Sequence, residues 1–229
     1  MHTEAPWAPG WSWDAIVVAG GRAKRLGGID KTALLWHGRT LLDGVLSATR
    51  GARRVCVVGS DARLPASVLR TVERPRWAGP AAAIVAGLDM LTVDSDDSGE
   101  YASDWIVVLA ADLVRADAAV AVLLTQLEHL CTDRAARDGL IAVDSDGRRQ
   151  PLLAVYRREA LHAAVAAFGP ADNLSVSGLI GPLDLVETSL PDEIGADVDT
   201  PADAARLGIE VPHDTADADL GPAHDSAKP

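Results

Sequence analysis

The feature that most constrains this chain is a recurring pair: a short uninterrupted apolar run, then a longer segment with helical spacing. The runs AIVVAG (15–20), RVCVVG (54–59), WIVVLAAD (105–112) and GLIAVD (139–144) have strand length and no inside–outside alternation. Such runs suit strands of a parallel sheet buried on both faces. LLAVYR (152–157) reads as a further strand. Helical patterns fall at 41–49, 81–91, 117–131, 159–168 and 202–207, the first with Thr40 as N-cap and Asp43 at the capping-box position. This alternation predicts an α/β chain: a three-layer α/β/α sandwich with a mostly parallel sheet and right-handed, Rossmann-like crossovers.

The length of 229 residues allows one such domain. It is expected over 13–211, after a flexible lead-in (1–12) and before a disordered acidic tail (212–229). The stretch 93–104, VDSDDSGEYASD, reads as an exposed acidic loop. Aromatics are only 4% of the chain, so the core must be built from Ala, Val and Leu. The net charge of −12 argues against a nucleic-acid partner, because phosphate backbones attract basic surfaces. It does not argue against one phosphorylated ligand, for which the local field decides. The two cysteines, Cys56 and Cys131, make neither a disulfide framework nor a zinc site, and Cys56 lies in an apolar run that reads as core. No apolar stretch reaches the roughly 18 residues of a membrane helix, and the N-terminus lacks a signal-peptide pattern. The expectation is a cytoplasmic protein without a membrane partner, and a monomer.

The segment 17–31, VVAGGRAKRLGGIDK, follows the first strand directly. Gly20 and Gly21 carry no Cβ, so the main chain there can approach a ligand closely. Successive N–H groups in such a turn form a concavity that binds anions. Downstream, Arg25 and Lys31 supply a guanidinium fork and an ammonium point charge for phosphate oxygens. No Gly-Lys-Ser/Thr follows, which excludes a Walker loop, and the glycine spacing does not fit GxGxxG.

The string is similar to the L-A-G-G-x-x-x-R-M-G-x-x-K signature of nucleotidyltransferases with the nucleotide-diphospho-sugar transferase fold. Over residues 14–207 the chain resembles the molybdenum cofactor guanylyltransferase family. The resemblance implies that Val18, Ala19, Gly20 and Gly21 hold the nucleotide and that Arg25 and Lys31 lie near its phosphates. It implies a Gly-Pro landmark at Gly79 and Pro80, within AGPAAAIVAGL, and a base-reading residue just before it. The family has an acidic residue there; the best alignment offers Arg74, with Glu73 one position earlier. Asp112, leaving the carboxyl end of the third long strand, is the implied Mg²⁺ ligand, which also suits its position in an α/β sheet. Gln150 and Pro151 match a motif near the acceptor. Asp197 and Asp199, in ADVDTPADAARL, are implied near acceptor or metal, while Thr200 and Pro201 read as an N-cap and first helical residue.

The activity so implied is Mg²⁺-dependent transfer of GMP from GTP to a molybdopterin-type phosphate, with pyrophosphate released. Arg25, Lys31 and Asp112 would carry the catalytic charge, and no nucleophilic Ser, Cys or His is needed. Two alternatives stand beside it. One keeps the fold and reaction but uses CTP, or a sugar 1-phosphate as acceptor. The other is a nucleotide-binding regulatory protein without turnover, suggested by Arg74 at the base position and by Val114 where the family commonly has Pro.

Overall fold

The computed structural model describes residues 11–20, 31–93, 103–132, 137–168, 175–191, 194–195, 198 and 200–210. The expected sandwich is present. β1 (Trp13–Val18), β4 (Val55–Val58), β5 (Leu69–Thr71), β6 (Trp105–Ala110), β7 (Gly139–Val143), β8 (Arg149–Arg157) and β9 (Leu185–Ser189) form one sheet of seven strands in the order β5-β4-β1-β6-β8-β7-β9. All neighbours pair in parallel except β8, which runs antiparallel to both β6 and β7. A small hairpin, β2 (Leu35–Trp36) and β3 (Arg39–Thr40), lies outside this sheet.

The uninterrupted apolar runs became buried strands because both sheet faces are covered. On one face α1 (Leu41–Ala48) and α3 (Ala116–Thr132) pack Leu42, Val45, Leu123 and Leu127 against Val17 and Val107. On the other, α2 (Pro80–Val93), α4 (Arg158–Phe168) and α5 (Val176–Ile180) cover Ile16, Val108 and Tyr156. α2 lies so close to β1 that a Cβ on Gly87 would stand 2.6 Å from Ile16 Cγ2. A third cluster, including Leu34, Leu41, Val114 and Ala204, seats the last helix, α6 (Pro201–Leu207), beside the start of α1.

The caps formed as read. Thr40 Oγ1 accepts from the Asp43 amide at 3.0 Å. Thr200 makes a reciprocal capping box with Asp203, and Pro201 follows at the first helical position. Three expectations needed adjustment. Ser103, within the stretch read as an exposed loop, is buried, because its carbonyl and hydroxyl serve Arg158. β5 and β9 were not read from the sequence: both are partly exposed edge strands with polar positions, so neither has an apolar run. The strand read at 152–157 starts earlier, at Arg149. Among the described residues no helix is long and apolar enough to cross a membrane.

The candidate nucleotide site

With β8 reversed, one edge of the sheet gathers the carboxyl ends of β5, β4, β1, β6, β7 and β9 and the amino end of β8. The expected residues that are described come to this edge. Val18 closes β1, and Ala19 donates to the Val58 carbonyl at 2.8 Å, which holds the exit of β1 beside that of β4. Ala111 donates to the Val18 carbonyl at 3.0 Å, so β6 stays paired with β1 until just before Asp112. Asp112 therefore emerges next to Ala19 and Gly20, at the point where the strand order switches direction from β1. Crevices of this kind are where open α/β sheets bind ligands.

Lys31 opens the single turn Lys31–Ala33 and reaches the same crevice. Its Nζ lies 3.4 Å from Asp112 Oδ2, with about a fifth of each side chain exposed: 18% and 22%. A basic and an acidic residue that are far apart in sequence thus share one half-buried position. Gly21, Arg25, Asp197 and Asp199 lie outside the described residues. Among the described residues no group of three His, Cys, Asp or Glu side chains is placed to hold a metal.

The two candidates for the base-reading position differ in burial. Arg74 is exposed, whereas Glu73 is 5% exposed. Glu73 Oε1 accepts from the Trp77 amide at 2.9 Å; its Oε2 is buried and has no hydrogen-bond partner among the described residues. The carboxylate faces two glycines. A Cβ on Gly20 would lie 3.6 Å from Glu73 Oε1, and one on Gly59 would lie 3.6 Å from Oε2. Gly59, at the exit of β4, has φ +84° and approaches Gly20 more closely than a side chain permits. Gly79 and Pro80 follow at the amino end of α2, where Gly79 has φ +98° and its carbonyl accepts from Ala83 at 3.1 Å.

Gln150 and Pro151 stand further along the edge, at the start of β8. Gln150 Nε2 donates to Asp144 Oδ2 at 3.0 Å. Asp144 Oδ1 also accepts from the amides of Asp146 and Arg148, so this carboxylate organises the β7–β8 turn. A groove here is lined by Asp144, Asp146, Arg148, Gln150, Asp203 and Arg206 among others, with Arg206 paired to Asp203 at 3.4 Å. Pro151 is fixed from behind, since the buried Tyr156 donates its hydroxyl to the Pro151 carbonyl at 2.9 Å. A five-residue reach within one strand is possible because β8 bulges. The pairing shifts from Ile141 opposite Ala154 to Ala142 opposite Gln150.

Sequence reasoning missed Gly59, Trp77, Arg148 and Arg206 at this edge. Only Gly59 had a signal, as the glycine ending an apolar strand. Arg148 and Arg206 lie beside or within the Gln-Pro and Thr-Pro segments, but neither side chain is part of the motif positions themselves.

A family model described as MobA-like NTP transferase domain matches residues 15–178. The molybdenum cofactor guanylyltransferase of Acidiphilium cryptum (strain JF-5) is 39% identical over 79 residues, a match spanning 32% of this chain and 40% of that protein. The protein of the same name from Shewanella sp. (strain ANA-3) is 24% identical over 208 residues, covering 86% of this chain and 96% of its own. Among solved structures, molybdopterin-guanine dinucleotide biosynthesis protein A from Archaeoglobus fulgidus superposes with a TM-score of 0.56 at 21% identity, over 85% of this chain and 96% of that one. At that identity the structural likeness speaks for the fold.

Proposed function

The chain belongs to the family of MobA-like NTP transferase domains, and on that premise we propose that it transfers GMP from GTP to a molybdopterin-type phosphate. Pyrophosphate is the second product.

The observation that carries the choice of base is Glu73. A buried carboxylate oxygen without a donor is costly, by about 1–3 kcal/mol. An ionised carboxylate only accepts. Guanine offers two adjacent donors, N1–H and the exocyclic N2 amine, and so relieves that cost. Cytosine and adenine each present an acceptor where guanine has N1–H.

The reaction forms a bond between an acceptor phosphate oxygen and the α-phosphorus, and breaks the bond from the α-phosphorus to the oxygen bridging to the β-phosphate. Positioning and charge neutralisation dominate such steps. The main chain at Ala19, Gly20 and Gly21 cradles the phosphates, and Lys31, with Arg25, balances the charge that accumulates on pyrophosphate. Asp112 suits a divalent cation that arrives with its nucleotide: one protein carboxylate suffices when phosphate oxygens and water complete the shell. Asp199 is the second carboxylate the reading assigns to the metal. The bound cation, Mg²⁺ in this reading, supplies electrostatic screening of the phosphates. Gln150 and Pro151 are assigned to the acceptor half, where Arg148 is a cation available to a second phosphate although Asp144, Asp146 and Asp203 share the groove; Asp197 is assigned to that half as well.

Titration calorimetry with GTP, ITP, CTP, UTP and ATP in the presence of Mg²⁺ tests the base. GTP should bind tightest, with ITP weaker for lack of the N2 amine. A preference for CTP or UTP overturns the guanylyl assignment. Pyrophosphate release with molybdopterin as acceptor tests turnover, and silence with every triphosphate returns the chain to a binding role.

A further inference from the structure

Trp77 is at odds with its surroundings in two ways. It is 54% exposed, one of two large apolar side chains exposed among the described residues. Its φ is +71°, a region that bulky side chains rarely occupy and that costs stability. What holds it there is its own amide, which donates to Glu73 Oε1 at 2.9 Å. The carboxylate assigned to the base thus fixes the backbone of an exposed indole with one oxygen, while the other has no partner among the described residues. The neighbouring Arg76 guanidinium lies 6.0 Å from the ring centroid and 3.5 Å from Asp61 Oδ1. Asp61 is two residues beyond Gly59, so the Trp77 turn is tied across to the exit of β4 and borders the opening that Gly20, Gly59 and Glu73 share.

We propose that Trp77 is a specificity-determining residue of the nucleotide site, its indole stacking on the face of the purine whose edge Glu73 reads. The inference rests on the guanine reading and adds a second, edge-independent contact to it. An exposed indole whose backbone is tied to a hydrogen-bonding carboxylate can meet the face of a planar base while the carboxylate meets its edge, and the larger purine gains more from the indole than a pyrimidine does. Stacking is indifferent to ring substituents. Trp77 therefore sets purine over pyrimidine, and Glu73 sets guanine over other purines.

The test is calorimetry with Mg²⁺ on the full chain and on Trp77→Ala and Trp77→Phe, using GTP, ITP and inorganic triphosphate as probes. The expected result is that Trp77→Ala weakens GTP and ITP alike, by about 10- to 100-fold, and leaves inorganic triphosphate unchanged. Trp77→Phe keeps most of the affinity but loses the nucleotide-dependent quenching of tryptophan emission that wild type shows. Unliganded melting temperatures of both variants stay near wild type, since the ring is exposed. Wild-type GTP affinity in Trp77→Ala, or equal weakening of inorganic triphosphate, overturns the stacking role alone. Failure of the wild-type chain to bind any purine triphosphate overturns both this inference and the guanine reading.

Discussion

Gly59 and Gly20 touch backbone to backbone: a Cβ on Gly59 would stand 2.7 Å from the Gly20 Cα and 2.9 Å from its nitrogen. The exits of two parallel strands are thereby pressed together beneath the Glu73 carboxylate. The contact sets the floor of the crevice at this edge of the sheet.

Gly59→Ala should consequently damage both fold and ligand binding. The substituted residue keeps φ near +84°, which costs an L side chain about 1–2 kcal/mol. The clash is with main chain, so relieving it must displace Gly20, at a further cost of roughly 1–3 kcal/mol. Urea denaturation should show a loss of about 2–5 kcal/mol. Calorimetry should show weaker GTP binding even where the protein is fully folded. Unchanged affinity would mean that the two strand exits are not coupled.

Lys31 and Asp112 should respond in opposite senses. Lys31→Ala removes the cation 3.4 Å from Asp112 and leaves the carboxylate facing phosphate. Triphosphate affinity should drop by roughly 10- to 100-fold, that is about 1.4–2.7 kcal/mol. Asp112→Asn removes a negative charge, so GTP binding without metal should be retained or improved. Its Mg²⁺-dependent gain should vanish, and turnover should fall by about 10²-fold or more. Calorimetry with and without Mg²⁺, beside pyrophosphate release, measures both. Parallel behaviour of the two variants would contradict the assigned roles.

At the opposite edge of the sheet, Asp14 is 1% exposed and pairs with Arg158 at 2.5 Å, while Arg158 Nε donates to the Ser103 carbonyl at 2.6 Å. Burial pulls the Arg158 pKa below its ordinary value, and Asp14 opposes that pull. Asp14→Ala strands a buried guanidinium and should cost about 3–5 kcal/mol. Replacing both residues with apolar side chains should recover much of it. Chemical denaturation of the two variants decides, and kinetic constants of whatever remains folded should match wild type.

Tyr156→Phe keeps the ring in the core and deletes only the hydroxyl that holds the Pro151 carbonyl. The stability loss should be about 1 kcal/mol. Its functional effect should fall on one substrate. KM for the acceptor should rise by roughly 10-fold, as for a contact worth about 1.4 kcal/mol. KM for GTP should stay unchanged. Equal shifts for both substrates would make Tyr156 a general stabiliser.

The sequence was most legible where a single requirement dominated. β1, β4, β6 and β7 are buried on both faces, so their residues had to be apolar without interruption. The capping residues Thr40 and Thr200 announced their helices because the amino-terminal amides need an acceptor. Legibility failed where neighbours decide. β5 and β9 lie at the sheet's edges and satisfy only one partner strand, so little in their composition marks them. The choice between Glu73 and Arg74 was equally hidden, since adjacent residues differ in direction and burial, and alignment reports neither. Trp77 had no motif at all; its interest comes from a backbone angle and an exposed ring. Lys31 and Asp112 were named separately from the sequence, but their pairing depends on β6 staying in register with β1 past Val18.

β8 runs against its neighbours, and this divides the edge into regions of different origin. On the side proposed for the nucleotide, strands end and turns begin, so main-chain groups at strand exits dominate there. On the side proposed for the acceptor a strand begins, and Gln150 and Pro151 belong to the sheet itself, beside a shift in its register. Under the proposed assignment, changes in the short turn between β7 and β8 alter what the enzyme hands its nucleotide to while leaving the grip on that nucleotide alone. A scaffold of this build can exchange recipients without rebuilding its donor half.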